Sequence, residues 1–251
     1  MLDNPIIKAM MNRKSIRKYT DEIPSDEVIE TIVRAGQQAP FSSQMCSLVL
    51  SRDRENIPYQ APISFLFCVD SHKLETIMEK KGWDLITNDI FLFLMGIQDA
   101  TLMGENMVMA AESLGLGSCY IGKIPYEADP LANKYNLPKR VFPLIELVMG
   151  YPDESPPPRP RYPSDFVLFE NEYPEFSEEQ IEQAMKVMDE GYLAQDYYRS
   201  GNRMIKLKGD REETYTYDTY SWTEHISRRW GQRHESLDKL RGQFTKRGFK
   251  I

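Results

Sequence analysis

Four short segments of the sequence bring together side chains that could bind a polar or anionic ligand. The first places three cations and one hydroxyl within five residues: Arg13, Lys14, Ser15 and Arg17. A guanidinium can donate two parallel hydrogen bonds to a phosphate or a carboxylate, and a serine hydroxyl adds a further donor. These residue types favour an anion site, although a solvated basic turn would have the same composition.

The second and third segments are polar or glycine-rich. Ser42, Ser43 and Gln44 follow Pro40 and could contact the polar edge of a ring or a sugar, or form a plain connecting loop. In residues 115–123, GLGSCYIGK, glycines stand on both sides of a short apolar run. Glycine lets the backbone approach a flat ligand closely. The spacing is not GxGxxG, so it does not predict a dinucleotide fold, and ordinary turns are the alternative.

The fourth segment is rich in proline and arginine. Residues 151–163, YPDESPPPRPRYP, cannot form a regular helix or a central strand. Arg159 and Arg161 stand on either side of a proline, whose stiffness would hold both guanidiniums in place for an anion. A linker with solvated arginines is the alternative. Another basic stretch surrounds Arg203, in a polar loop over residues 200–218 that we predict to be mobile.

Composition limits the classes of function. With 251 residues, 41% of them hydrophobic and 27% charged, the chain fits one globular domain with or without an appendage. The net charge of −7 argues against a general nucleic-acid binder. Residues 199–251 nevertheless contain more basic than acidic side chains. Binding of nucleic acid or another anion through this tail is therefore a rival hypothesis.

The sequence gives no sign of a metal site or of a membrane segment. The three cysteines and three histidines show no CxxC or HExxH spacing, so we expect neither a disulfide framework nor a metal ion. The first residues lack the basic and apolar regions of a signal peptide, and no apolar run approaches the roughly 20 residues that cross a bilayer. We expect a cytoplasmic protein with no membrane partner.

Hydrophobic periodicity predicts alternating helices and strands. Helices are expected at 4–12, from an N-cap at Ser25 to Pro40, and at 89–116, 126–136 and 178–199, with one or two more at the C-terminus. Strands are expected at 46–51, 63–69, 118–121 and 144–149. This order indicates an α/β or α+β layered domain. The apolar helix at 89–116 is typical of a domain centre or a subunit interface.

In this order, the segments resemble a single family. The chain is similar to the FMN-dependent nitroreductases in five stretches: RKSIRKYTDE at 13–22, AESLGLGSCYIGKI at 111–124, VFPLIELVMGYP at 141–152, RPRYP at 159–163 and SWTEHI at 221–226. The similarity is greatest to the branch of major oxygen-insensitive nitroreductases and NADPH–flavin oxidoreductases, and it spans nearly the whole chain.

The resemblance implies a fold and an activity. The expected fold is α+β, a three-layer α/β/α sandwich that forms an intertwined homodimer with one FMN at each subunit interface. Residues 1–163 would form the FMN-binding core, and residues 164–251 an extension that wraps the core or the partner subunit. The expected reaction is ping-pong hydride transfer from NADPH or NADH, through flavin N5, to a nitroaromatic, a quinone or a free flavin. A non-catalytic flavin carrier on the same fold is the alternative.

The resemblance also implies roles for individual residues. Those expected to bind FMN are Arg13, Lys14, Ser15, Arg17, Ser42, Ser43, Gln44, Ile121, Gly122, Lys123, Arg159 and Arg161. Among them, Arg17 would stabilise negative charge at the N1–O2 edge of the reduced flavin, and Arg159 and Arg161 would hold its phosphate. Arg203 would bind the 2′-phosphate of NADPH. No catalytic side chain is expected, because the flavin carries the chemistry.

Position 57 differs from the family pattern. Ile57 stands where a flavin-contacting glutamine is expected, and Gln60 is the candidate to replace it.

Overall fold

The computed structural model describes residues 3–232 and 236–251 and contains two compact units. The first unit ends at Pro156 and takes in Ser236–Ile251, and the second begins at Pro157. The observed boundary lies close to the one predicted at residue 163, but the predicted extension is divided. Its last helix belongs to the first unit because Phe244 stacks on Phe142 there, with ring centroids 4.4 Å apart. Of the three histidines considered above, His234 lies outside the described residues.

The first unit is built on an antiparallel sheet with strand order β1-β2-β4-β3. The strands are β1 (Cys46–Ser51), β2 (Ile63–Asp70), β3 (Gly117–Ile121) and β4 (Val141–Gly150). All four predicted strands are confirmed, but β4 begins three residues earlier than expected. Pro143 is tolerated there because it lies beyond the end of β3, which pairs only with residues 146–150, and beside a bulge in the β2–β4 ladder.

Helices pack around this sheet, and others lie in the second unit. Their bounds are α1 (Pro5–Asn12), α2 (Asp26–Gln37), α3 (His72–Lys80), α4 (Asp89–Ser113), α5 (Ala128–Lys134), α6 (Glu178–Ala194), α7 (Tyr197–Ser200), α8 (Trp222–Gln232) and α9 (Leu237–Lys246). The predicted cap of α2 is confirmed, since Ser25 Oγ accepts a hydrogen bond from the amide of Val28. Helix α3 was not predicted, because its apolar stripe of Leu74, Ile77 and Met78 spans little more than one turn. No described helix is long and apolar enough to cross a membrane.

Side chains alternate across β2 between two apolar clusters. Phe65 and Phe67 belong to the cluster that contains Met107 of α4 and residues of α2. Leu66 and Cys68 belong to a second cluster with Ile124, which is packed against α5. Both faces of the sheet are therefore covered within the first unit, and the α+β class is confirmed. The intertwined dimer and the complete three-layer sandwich stay predictions.

The second unit is held together through α8. Asp189 of α6 accepts hydrogen bonds from the amide and the hydroxyl of Thr223. Arg228 of α8, only 4% exposed, donates to both carboxylate oxygens of Glu213, to Glu224 and to the carbonyl of Ile205. The polar loop that was predicted to be mobile is thus attached to α8 by a buried guanidinium, a contact that its polar composition could not reveal.

Candidate functional site

The first predicted segment lies beside β3. Ser15 forms an isolated parallel bridge with Ser118, and the amide of Ile16 donates to the carbonyl of Ser118 at 2.9 Å. Gly117 makes this approach possible, because a Cβ at that position would lie 2.4 Å from Ile16 Cγ1. Two of the four predicted segments, 13–17 and 115–123, are therefore brought together by tertiary structure.

A cavity of about 460 Å³ opens next to this contact. Lys14, Glu112, Gly117 and residues 152–155 line it. Lys14 Nζ donates to Ser155 Oγ at 3.1 Å. This arrangement places one cation, one hydroxyl, three carboxylates (Glu112, Asp153 and Glu154) and backbone from a glycine-rich segment around one space, which suits a polar ligand.

Arg17 lies at the far end of the same segment. Its amide donates to Glu154 Oε1 at 2.5 Å, and its guanidinium lies 5.9 Å from the centroid of the Tyr59 ring. Both contacts fix the backbone and the direction of the side chain. Arg17 also contributes to the field at Cys119, where it opposes the rise in the thiol pKa that burial causes.

The backbone after β3 is open. Ile121 ends the strand, and Gly122 and Lys123 form the turn that follows. A Cβ built at Gly122 would meet no heavy atom within 4 Å, so a flat ligand can approach the backbone at that residue. The carbonyl of Lys123 accepts a hydrogen bond from the amide of Tyr126, and this bond fixes the turn.

The second predicted segment is held by a buried carboxylate. Asp99 of α4, 4% exposed, accepts hydrogen bonds from the amides of Ser42 at 2.6 Å, Ser43 at 3.1 Å and Met45 at 2.9 Å. Gln44 takes a positive φ of 52° between them. The loop therefore has a fixed conformation whose amides point towards α4.

Within one chain, this loop is remote from the first segment. It leads into β1, whereas residues 13–17 lie against β3, at the opposite edge of the sheet. Helix α4 shows the same separation. Its Asp99 binds the loop, whereas its Glu112 lines the cavity beside Lys14. At about 1.5 Å per residue, those two carboxylates are separated by about 20 Å of helix. The structure does not bring Ser42, Ser43 and Gln44 to residues 13–17 of the same chain.

The fourth segment forms a basic cluster inside the second unit. Arg159 donates to the side chain of Gln195 at 2.5 Å, and its guanidinium lies 4.2 Å from the centroid of the Tyr197 ring. Arg161 donates to the carbonyls of Arg159 and Pro160, both at 3.0 Å. Within the residues that the structure describes, no carboxylate forms an ion pair with either arginine, so their charge is available to an anion.

Arg203 lies in the same cluster. Its Nη1 donates to the Tyr197 hydroxyl at 3.1 Å, and its guanidinium lies 4.6 Å from the ring centroid. It too has no ion pair with a described acidic residue. The sequence indicated this arginine but not Tyr197, because the tyrosine falls within the helix predicted at 178–199 and its residue type does not indicate which cations its ring will contact.

Comparison with known proteins identifies the family. The Nitroreductase family model matches residues 10–64 and 50–151. An FMN reductase (NADPH) from Bacillus subtilis is 33% identical over 229 residues, which cover 85% of this chain and 89% of that protein. The chain belongs to the nitroreductase family. This result confirms the predicted family and, with it, the prediction of an NAD(P)H-dependent flavin oxidoreductase.

Two further relatives agree with this assignment. An oxygen-insensitive NADPH nitroreductase from Salmonella typhimurium is 31% identical, over 90% of each chain. The structure of NfrA2 from B. megaterium superposes with a TM-score of 0.82 at 26% identity and covers 99% of each chain. The similarity of this nitroreductase to its relatives therefore extends through both units.

Three residues outside the predicted FMN-binding set bear on the site of this nitroreductase: Asp99, Ile57 and Gln60. Asp99 was missed because an aspartate within an apolar helix gives no indication of which amides it will accept. Ile57, where a glutamine was expected, is 4% exposed and packs in a cluster with Ile16 and Tyr19. Gln60 is exposed and has a positive φ of 51°. Its replacement of the expected glutamine stays a prediction.

Glu112 gives a pH-dependent prediction for this nitroreductase. Its Oε1 is buried and accepts no hydrogen bond from a described residue, and burial raises the pKa of the carboxyl although Arg13 and Lys14 lower it. The pKa of Glu112 is higher in the folded state than in the unfolded state. The wild type therefore loses stability as pH rises from the unfolded-state pKa through the folded-state pKa. We expect Glu112→Gln to raise the melting temperature by a few degrees at pH 8 and by much less at pH 4.5.

Thermal unfolding at the two pH values measures this difference. Glu105→Gln, an exposed position on the same helix, is the matched control and should give a small change at both. An equal gain for Glu112→Gln at both pH values would contradict the prediction.

Proposed function

We propose that this nitroreductase is an FMN-dependent oxidoreductase that takes a hydride from NADPH or NADH and reduces a nitroaromatic, a quinone or a free flavin. The observation that carries the proposal is the contact of residues 13–17 with β3 beside a cavity of about 460 Å³. The relatives named above as an FMN reductase and as a nitroreductase support it. When bound, FMN would supply the redox chemistry, accepting a hydride at N5 and passing it on in a second half-reaction.

The residues present fit this group. In the first unit, the cavity and the strand beside it offer a lysine, one hydroxyl and glycine backbone next to the carboxylates Glu112, Asp153 and Glu154. In the second unit, Arg159 and Arg161 have no carboxylate partner among the described residues. We assign Arg13, Lys14, Ser15 and Arg17 to hold the polar side of the ring system. Ile121, Gly122 and Lys123 present backbone to it. The protein's part is to bind and orient the ring and to place positive charge where the reduced ring becomes negative.

Arg17 supplies that positive charge. Its backbone is fixed by Glu154 and its side chain is directed by Tyr59, so the guanidinium is placed before the ligand arrives. A charge that is already in position costs no reorganisation when negative charge develops at the N1–O2 edge. No acid–base side chain is required in this proposal.

We assign Arg159 and Arg161 to the phosphate. Arg161→Ala should weaken the binding of FMN about tenfold or more, because a charge-assisted hydrogen bond contributes about 1.5–3 kcal/mol. Fluorescence titration of flavin-free protein measures the dissociation constant. Arg199→Ala is the matched control, since Arg199 is already paired with Asp218 and should leave the affinity unchanged. Equal affinity of wild type and Arg161→Ala would place the phosphate elsewhere.

We further propose that two copies of the chain complete each site. Ser42, Ser43 and Gln44 are remote from residues 13–17 in one chain, so a second copy must supply them if both contact one flavin. Apolar side chains on α1 and α4 are about half exposed and suit such an interface: Ile6, Met10, Phe91, Leu94 and Leu102. Sedimentation of the purified protein should give a dimer, and a monomer that retains FMN would contradict this arrangement.

An absorbance spectrum and an oxidation assay test the proposal together. The purified protein should be yellow or become so with FMN, and NADPH or NADH should bleach the bound flavin before an acceptor restores the colour. A protein that stays colourless with FMN would refute flavin binding. Tight FMN binding without NAD(P)H oxidation by any acceptor would instead support a non-catalytic flavin carrier.

A further inference from the structure

One aromatic ring in the second unit contacts two arginines. The guanidinium carbons of Arg159 and Arg203 lie 4.2 Å and 4.6 Å from the centroid of the Tyr197 ring. The two carbons are therefore less than about 9 Å apart, although the two residues are far apart in the sequence. Neither arginine has an ion pair with a carboxylate in the part of the chain that the structure describes.

Each arginine also has a partner that the other lacks. Gln195 accepts a hydrogen bond from Arg159 and donates to the carbonyl of Pro158, so it fixes the proline-rich side of the cluster. The Tyr197 hydroxyl accepts a hydrogen bond from Arg203. Gln195 therefore acts on Arg159 alone, the hydroxyl acts on Arg203 alone, and the ring acts on both.

Gly201 makes room for the Arg203 side chain. A Cβ at residue 201 would lie 2.0 Å from Arg203 Nε and 2.7 Å from Arg203 Cδ. The side chain must therefore turn back across Gly201 to reach Tyr197. A side chain at this position would displace the Arg203 guanidinium from the ring, because the three atoms nearest to its Cβ all belong to Arg203.

A break in the helix places the ring. Helix α6 ends at Ala194, Asp196 takes a positive φ of 47°, and α7 begins at Tyr197. A non-glycine residue in this conformation is uncommon and is retained where the surrounding contacts require it. Because the chain changes direction here, Tyr197 contacts both the proline-rich segment and the loop that carries Arg203.

We propose that Tyr197 is a positioning residue that links recognition of two phosphates, that of FMN by Arg159 and the 2′-phosphate of NADPH by Arg203. The inference rests on the proposed function for the assignment of those two arginines. The electron-rich π system of the ring holds both cations while leaving their remaining N–H donors for anions. Loss of the ring therefore weakens both interactions, whereas loss of the hydroxyl weakens only the preference for NADPH over NADH.

Three variants separate these effects. FMN release from the holoenzyme on dilution, read by flavin fluorescence, gives the flavin dissociation constant, and steady-state kinetics give KM for NADPH and for NADH. We expect Gln195→Ala to weaken FMN roughly two- to fivefold with an unchanged ratio of the two KM values. Tyr197→Phe should lower the preference for NADPH by a similar factor and leave FMN unchanged. Tyr197→Leu should do both.

Two additional variants distinguish these effects from a general loss of structure. Tyr217→Phe removes a tyrosine hydroxyl that bonds to Asn202 in the same loop, and should alter neither readout. Gly201→Ala moves Arg203 without altering the ring, so it should reproduce the effect of Tyr197→Phe even if Tyr197→Leu fails to fold.

The outcomes distinguish this inference from the proposed function. If Arg203→Ala raises KM for NADPH much more than for NADH, but Tyr197→Phe and Gly201→Ala do not, the positioning role of Tyr197 is overturned. If Arg203→Ala changes both KM values equally, the assignment of Arg203 is wrong and the link through Tyr197 is wrong with it. A wild type that neither binds FMN nor oxidises NAD(P)H overturns the proposed function itself.

Discussion

Replacing Asp99 with alanine is expected to destabilise the first unit by about 3 kcal/mol or more and to abolish retention of FMN. The carboxylate is the acceptor for three amides, those of Ser42, Ser43 and Met45. The site is 4% exposed, so water cannot readily take its place. Without it the loop loses its fixed conformation, and with it the contacts that we propose it makes to the flavin of a partner subunit.

Urea unfolding and flavin fluorescence measure the two effects. Asp99→Asn keeps one oxygen for the amide of Ser42 but turns an NH₂ group towards the other amides, so it should fall between wild type and Asp99→Ala. Asp84→Ala, at an exposed position, should change neither measurement. Full retention of FMN by a destabilised Asp99→Ala protein would show that the loop does not take part in flavin binding.

Adding one methyl group at Gly117 is expected to separate the first segment from the sheet. The new Cβ would lie 2.4 Å from Ile16 Cγ1 and 2.9 Å from Ile16 Cβ, distances at which one of the two backbones must move. Ile16 is 2% exposed and is therefore confined by its neighbours. Overpacking of this kind costs about 1–3 kcal/mol, and we expect Gly117→Ala to weaken FMN binding about tenfold or more.

A second substitution and a control make this result specific. Gly117→Ala combined with Ile16→Ala removes the closest contact and should recover part of the flavin affinity, although it leaves the Ile16 packing site underfilled. Gly242→Ala, on α9, meets no heavy atom within 4 Å and should leave flavin binding unchanged while slightly stabilising the helix. Undiminished FMN binding by Gly117→Ala would mean that the contact with β3 does not position residues 13–17.

Local elements were predictable where one face of a short segment is clearly apolar. The strands at Cys46–Ser51 and Ile63–Asp70 and the N-cap of α2 follow from residue types within a few positions of one another. Helix α3 was missed because its apolar stripe of Leu74, Ile77 and Met78 spans little more than one turn. The break after α6 was missed because it depends on a positive φ at Asp196, which the helical pattern does not reveal.

The candidate site was predictable in its chemistry but not in its geometry. The arginines, serines and glycines were selected by residue type and by resemblance, and the family assignment was confirmed. That Arg159 and Arg203 share Tyr197 was not predictable, because nothing in the sequence near either arginine points to that ring. The individual roles of these residues stay predictions.

By itself, the sequence determined the family, the alternation of helices and strands, and the kinds of group available for an anionic ligand. Periodicity and capping act over a few residues, so they can be read along the chain. Only the tertiary structure decided which segments meet: residues 13–17 with β3, Ser42 with Asp99, and Arg203 with Tyr197. These contacts depend on strand order and on a glycine that permits close approach, and both are properties of the packed chain rather than of any segment.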